Sequence, residues 1–281
     1  PCGDAIDSLT LQLIPAAVAD AGNDIVSCIS EPVEVTNAQV SAYTSIIWTT
    51  AGTGNFNNAT LPNPVYTPGE ADFTNGFVDI TLTVNGITPC GSDSDTLRIT
   101  FNKAPNVTAG SDASACANEP YTINSASADN YSSVLWTTSG KGVLSDPTVL
   151  NPVYTPAKGE TGQVEFTLTV KGTSGCENMV VTDMFVLTLK PEIFANAGND
   201  ESIVEGTATS LSGTASGGSG VFAYKWSPEE YLVDYNVLNP VTLPLTANTL
   251  FTLTVLDIVS GCSQSDEVLI SMGGMIRPLA V

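Results

Sequence analysis

Asp79-Ile-Thr-Leu-Thr-Val84, Glu165-Phe-Thr-Leu-Thr-Val170 and Leu250-Phe-Thr-Leu-Thr-Val255 are one strand written three times. Apolar residues alternate with threonine, the period of two that turns one face to a core and the other to solvent. A cysteine follows each copy, at 90, 176 and 262. Other markers recur around this strand in the same order. Ala-Gly-x-Asp opens each set at Ala21–Asp24, Ala109–Asp112 and Ala197–Asp200. Trp48, Trp136 and Trp226 come next, then Asn-Pro-Val at Asn63, Asn151 and Asn239. The intervals are about 88 residues, and self-similarity at a fixed period marks an array.

The reading is therefore three tandem units, over residues 19–104, 105–191 and 192–273. Pro1-Cys2-Gly3 and Asp7-Ser-Leu-Thr-Leu11 match Pro89-Cys90-Gly91 and Asp95-Thr-Leu-Arg-Ile99. Residues 1–18 thus read as the last strand of a preceding unit plus a linker. Residues 274–281, with Pro278-Leu-Ala-Val281 resembling Pro15-Ala-Ala-Val18, read as a linker toward a following unit. Both ends point to a longer array.

Within the first unit, short runs rich in Val, Ile, Thr, Tyr and Phe alternate with Gly, Pro, Asn and Asp clusters. They predict strands near 24–28, 32–37, 44–50, 54–57, 64–67, 77–86 and 94–102. No run keeps a helical period. Seven short strands in under 90 residues predict an all-β, two-sheet sandwich with Greek-key connections. Trp48, Trp136 and Trp226 stand mid-strand in every unit, which predicts a core role; exposed sugar-stacking tryptophans are the competing reading.

The chain of 281 residues carries 8 basic and 29 acidic side chains, no histidine, and a net charge of −21. Nucleic acid is a poor partner for such a surface, because binding it needs clustered Lys and Arg. Anionic membranes are disfavoured for the same reason. No apolar run is long enough to span a bilayer. Without imidazole there is no Ser-His-Asp or Cys-His machinery and no His-ligated metal. A non-catalytic protein is expected.

Six cysteines lie far apart and form no CxxC pair, which favours disulfides in an oxidising compartment over zinc; buried free thiols are the alternative. Pairing inside each unit predicts Cys28–Cys90 and Cys116–Cys176, with Cys2 and Cys262 left without partners. Asp24, Asp112 and Asp200 sit at the unit junctions, where carboxylates could hold calcium as the one candidate cofactor; a turn in which Asp bonds backbone amides is the competing reading. Gly52-Thr-Gly54 and Gly140-Lys-Gly142 read as turns, since no helix follows to make a phosphate cradle. Tyr43, Tyr131 and Tyr231 are candidates for a glycan-binding row.

Unit three carries Gly198-Asn-Asp200, Leu211-Ser-Gly213, Tyr224-x-Trp226-Ser-Pro228 and Gly261-Cys262, and resembles a PKD-like domain. Units one and two, with Trp-Thr-Thr-x-Gly and Asn-Pro-Val-Tyr-Thr-Pro, resemble related immunoglobulin-like repeats. Such repeats build giant surface adhesins of Bacteroidota, including gliding-motility proteins exported by type IX secretion. The resemblance implies tandem sandwiches in an elongated rod and a non-catalytic stalk on the bacterial cell surface. Its partners would be neighbouring repeats, surface glycans or other adhesin subunits. The alternative it leaves open is a spacer or carbohydrate-binding region of a secreted polysaccharide-degrading enzyme. Asp7-Ser8-Leu9 and Asp95-Thr96-Leu97 resemble the O-glycosylation signature of that phylum, which makes Ser8 and Thr96 candidate attachment sites.

Overall fold

The computed structural model describes residues 2–4, 6–29 and 31–273. Its three repeats follow one plan. In the first, the strands are β1 (Val18–Asp20), β2 (Ile25–Cys28), β3 (Val33–Glu34), β4 (Gln39–Ser41), β5 (Tyr43–Thr50), β6 (Asn55–Phe56), β7 (Val65–Thr67), β8 (Phe77–Gly86) and β9 (Ser92–Asn102). One sheet has the order β2-β9-β8-β5 and the other β3-β7-β6, while β1 and β4 form a two-stranded flap. The first strand of the large sheet lies parallel to the last, with Ile25 opposite Ile99 and Cys28 opposite Asn102. Every other named pairing in this repeat is antiparallel.

The second repeat keeps the plan, with a large sheet of Ala113–Cys116, Val180–Lys190, Gly162–Gly172 and Tyr131–Thr138. The third builds it from Glu201–Val204, Ser263–Gly273, Thr249–Asp257 and Phe222–Ser227. There the small sheet shrinks to two isolated bridges, Ser210 with Val241 and Leu232 with Thr242. These are tandem immunoglobulin-like β-sandwiches. The chain divides into two compact units. One takes in the first repeat with the tip of the second (Ala128–Val134 and Thr169–Thr182); the other takes in the rest of the second repeat and the third.

Alternation sets the cores. In β8, Val78, Ile80, Leu82 and Val84 are buried, and in β9 Leu97, Ile99 and Phe101 meet them. Each such side chain contributes about 1.5–3 kcal/mol by leaving water. Trp48, Trp136 and Trp226 lie in the three cores, none more than 2% exposed. Trp136 and Trp226 donate their indole N–H to the carbonyls of Leu150 and Leu238.

Two expectations differ from this structure. A short helix, α1 (Glu70–Asn75), interrupts the first repeat. Six residues are too few to show a helical period, and its cause is local: Gly69 at the cap donates its N–H to the Asp72 carboxylate, and Gly76 closes the helix at φ +79°. The strand expected in residues 1–18 does not form, among the described residues, before Val18. Among the described residues it has no ladder to join, and a lone strand does not hold in water. The linker expected at 274–281 lies outside the described residues.

Candidate functional site at the repeat junctions

Each repeat is closed by a pair of reciprocal hydrogen bonds between its opening motif and its last strand. In the first, the Ala21 N–H donates to Asp95 Oδ2 at 2.8 Å, and Asp24 Oδ1 accepts the Arg98 N–H at 2.8 Å. In the second, Ala109 donates to Asp183 and Asp112 accepts from Val186. In the third, Ala197 donates to Asp266 and Asp200 accepts from Leu269. Ala-Gly-x-Asp is thus a clasp that ties the start of a repeat to its end. Asp24, Asp112 and Asp200 use a carboxylate oxygen on a strand amide. Among the described residues, no group of three or more His, Cys, Asp or Glu side chains stands together as metal ligands. The partner carboxylates Asp95, Asp183 and Asp266 went unpredicted, although they recur at one repeat position.

The cysteines meet differently from the expected pairing. Cys28 bonds Cys176 and Cys116 bonds Cys262, with Cα–Cα separations of 4.9 and 5.8 Å. Cys90 and Cys2 are free. The parallel ladder explains the correction. It sets Cys28 beside Asn102, at the end of β9, whereas Cys90 precedes the start of β9. Eleven residues of strand separate the two by roughly 33 Å, and a disulfide tolerates no more than about 7 Å between Cα atoms. The end of β9 is where the next repeat begins, so Cys28 meets the turn of that repeat, which carries Cys176. The second junction repeats this with Cys116 opposite Lys190 and bonded to Cys262.

Each disulfide therefore staples the first strand of one repeat to the late turn of the next. The loops span 148 and 146 residues, so each is worth about 5 kcal/mol on the chain-entropy model. Polar contacts support both staples. At the first junction Asn102 Nδ2 donates to the Ser174 carbonyl at 2.5 Å. At the second junction Lys190 Nζ donates to the Ser260 carbonyl at 2.6 Å. The turn bearing Cys262 is braced by buried Asp257, which accepts from the Ser219 hydroxyl and from the amides of Ser219, Val259 and Ser260. Led by the two Ser219 bonds, these donors hold its carboxyl well below the usual carboxylate range. Non-reducing peptide mapping is expected to recover the 28–176 and 116–262 links with Cys2 and Cys90 as thiols; a 28–90 link would overturn the assignment.

The glycine turns hold an anion, and it belongs to the chain itself. The amides of Thr53, Gly54 and Gly69 and the Tyr66 hydroxyl all donate to Asp72. In the second repeat the backbone amides of Lys141 and Ala157 and the Tyr154 hydroxyl donate to Glu160. A Cβ on Gly52 would sit 2.0 Å from the Asp72 carboxylate, so close approach requires glycine there. Burial, then the bond to Glu160, pushes Tyr154 up to about 12. Its folded value exceeds the unfolded one of about 10, so its contribution is complete below pH 10 and is lost as pH climbs to about 12. Melting temperature is expected to fall across that window, and less steeply in Tyr154→Phe; identical slopes would exclude this tyrosine as the cause.

Of the remaining candidates, Ser8 and Thr96 are exposed, and Thr96 shares a 2.9 Å hydroxyl contact with Thr81. Tyr43 and Tyr131 open equivalent strands and are 44% and 37% exposed. Tyr231 lies instead in a 3-10 turn, so the three do not repeat one position.

No family model matches this chain, and no curated protein matches it. Solved structures do resemble it. The titin I-band fragment I67–I69 aligns at TM-score 0.47 and 13% identity, covering 93% of this chain and 100% of that one. Sidekick-1 immunoglobulin domains 1–5 align at 0.46 and 13%, covering 93% of this chain and 60% of that one. The N-terminal eight Ig domains of Down Syndrome Cell Adhesion Molecule align at 0.39 and 12%, covering 92% and 37%. At such identities the likeness concerns strand arrangement and says nothing of function.

Proposed function

We propose that this chain is a non-catalytic, tension-bearing segment of a long extracellular adhesin or surface filament. The observation that carries the reading is the pair of overlapping staples, each joining one repeat to the next. A pull along the chain passes through the disulfides, which shortens the length that can unravel. The parallel pairing of first and last strands adds to this. Pulling such a pair from opposite ends shears its hydrogen bonds together rather than unzipping them singly, and all three repeats have it.

Disulfides support an oxidising, extracellular setting. The acidic surface would keep a crowded filament soluble and self-repelling. A bacterial cell-surface stalk, in gliding motility or attachment, is the finer form of this reading, and it follows from the resemblance of the repeats. The carbohydrate-binding alternative has weaker support, because the candidate tyrosines make no regular row. Single-molecule stretching with and without reductant tests the proposal. The oxidised chain must stop short, and equal extension in both states would overturn it.

A further inference from the structure

We propose that residues 7–14 serve as the last strand of a separate immunoglobulin-like sandwich, and that Cys90 forms a disulfide with the first-strand cysteine of that sandwich. Two independent observations point to this occupant. The first is burial. Asp7-Ser-Leu-Thr-Leu-Gln-Leu-Ile14 matches Asp95-Thr-Leu-Arg-Ile-Thr-Phe-Asn102 position by position. Leu97, Ile99 and Phe101 are core residues, at most 5% exposed, whereas their counterparts Leu9, Leu11 and Leu13 are 94%, 77% and 82% exposed. Three large apolar side chains on one face of a strand sequence fit the gap between two sheets.

The second is the place of the free thiol. Cys176 lies against the carbonyl oxygen of Asn102, and the residue across the parallel ladder from Asn102 is Cys28, its disulfide partner. Cys90 Sγ lies 3.5 Å from the carbonyl oxygen of Ile14, the counterpart of Asn102. A first strand pairing with residues 11–14 would bring its cysteine to Cys90. No cysteine of this chain stands free at a first-strand position. Cys28, Cys116, Cys176 and Cys262 are bonded, the third repeat has Val204 at the first-strand position, and the other free thiol, Cys2, stands at the late-turn position that matches Cys90. A second copy fails for the same reason, so the donor is a different sandwich of this repeat type. Bond formation removes two electrons and two protons from the two thiols, and a small-molecule disulfide oxidant takes them up as it becomes two thiols.

The test extends the whole chain by placing a copy of residues 17–88 ahead of Pro1. Residues 7–14 then receive the rest of a sandwich, and the copy brings a second Cys28. Non-reducing peptide mapping is expected to link that added cysteine to Cys90 and leave Cys2 free. Amide exchange over residues 7–14 should slow by roughly a hundredfold as the strand joins a ladder. A version extended with residues 105–174, which brings a copy of Cys116, should behave alike. A link to Cys2 instead, a free Cys90 after oxidation, or failure of both versions to protect residues 7–14 would overturn the proposal. The result is independent of whether the chain bears load.

Discussion

Stretched in oxidising buffer, the segment between Cys28 and Cys262 is expected to yield about a quarter of the length it yields in reductant. Reduced and fully unravelled, it holds about 230 residues and reaches about 800 Å at roughly 3.5 Å per residue. Oxidised, the shortest covalent path crosses from Cys28 to Cys176, runs back to Cys116, and crosses again to Cys262. That path holds about 60 residues and reaches about 210 Å. The two loops overlap over Cys116–Cys176, so neither disulfide alone produces the full limit. Cys116→Ser should give an intermediate length, since the chain from Cys176 to Cys262 then carries the load, about 86 residues or 300 Å. Single-molecule force spectroscopy reads all three lengths. Oxidised and reduced chains that unravel equally far would remove the mechanical role.

The second large effect is expected at Asp72. Its carboxylate is buried and accepts four donors, namely the amides of Thr53, Gly54 and Gly69 and the Tyr66 hydroxyl. Asp72→Ala leaves these facing a small cavity lined by glycine backbone. Each buried donor without a partner costs about 1–3 kcal/mol, so even partial relaxation should leave the first repeat about 3–5 kcal/mol less stable. Glu160→Ala should cost less, because the Glu160 site is only part-buried and its carboxylate accepts fewer bonds. Burial pushes the Asp72 carboxyl up, but the Gly69 and Thr53 amides, the Tyr66 hydroxyl and the Gly54 amide outweigh it and hold it below the usual range. A depressed folded value means its contribution is present above the unfolded pKa and is lost as pH falls through the folded one. Denaturant melts of Asp72→Ala and the parent should therefore converge in acid. A loss under about 1 kcal/mol at neutral pH would show that the loop holds without its anion.

Most of the sandwich was legible in the chain. The strands expected at 44–50, 64–67 and 77–86 lie within a residue or two of β5, β7 and β8. Val78, Ile80, Leu82 and Val84 could be assigned inward because alternation is a property of neighbouring residues. The flap strands β1 and β4, three residues each, were missed because they are too short to alternate. The glycine turns were recognised as turns, but their anion was not. Asp72 lies 19 residues beyond Thr53 and Glu160 lies 19 beyond Lys141, so only the fold brings them together.

The cysteines mark the boundary most clearly. The 88-residue period, the alternation and the punctuating Gly, Pro and Asn are all local, and they carry the number of repeats and the sandwich within each. Which cysteine meets which is not local. It turns on one parallel pairing, β2 against β9, which sends Cys28 to the far end of its own repeat and away from Cys90. Pairing inside each unit leaves Cys262 orphaned, and that orphan was the one trace in the chain that the partners lie one repeat further on. Strand direction depends on how the chain crosses between sheets, so it took the assembled fold to turn three separate sandwiches into a stapled series.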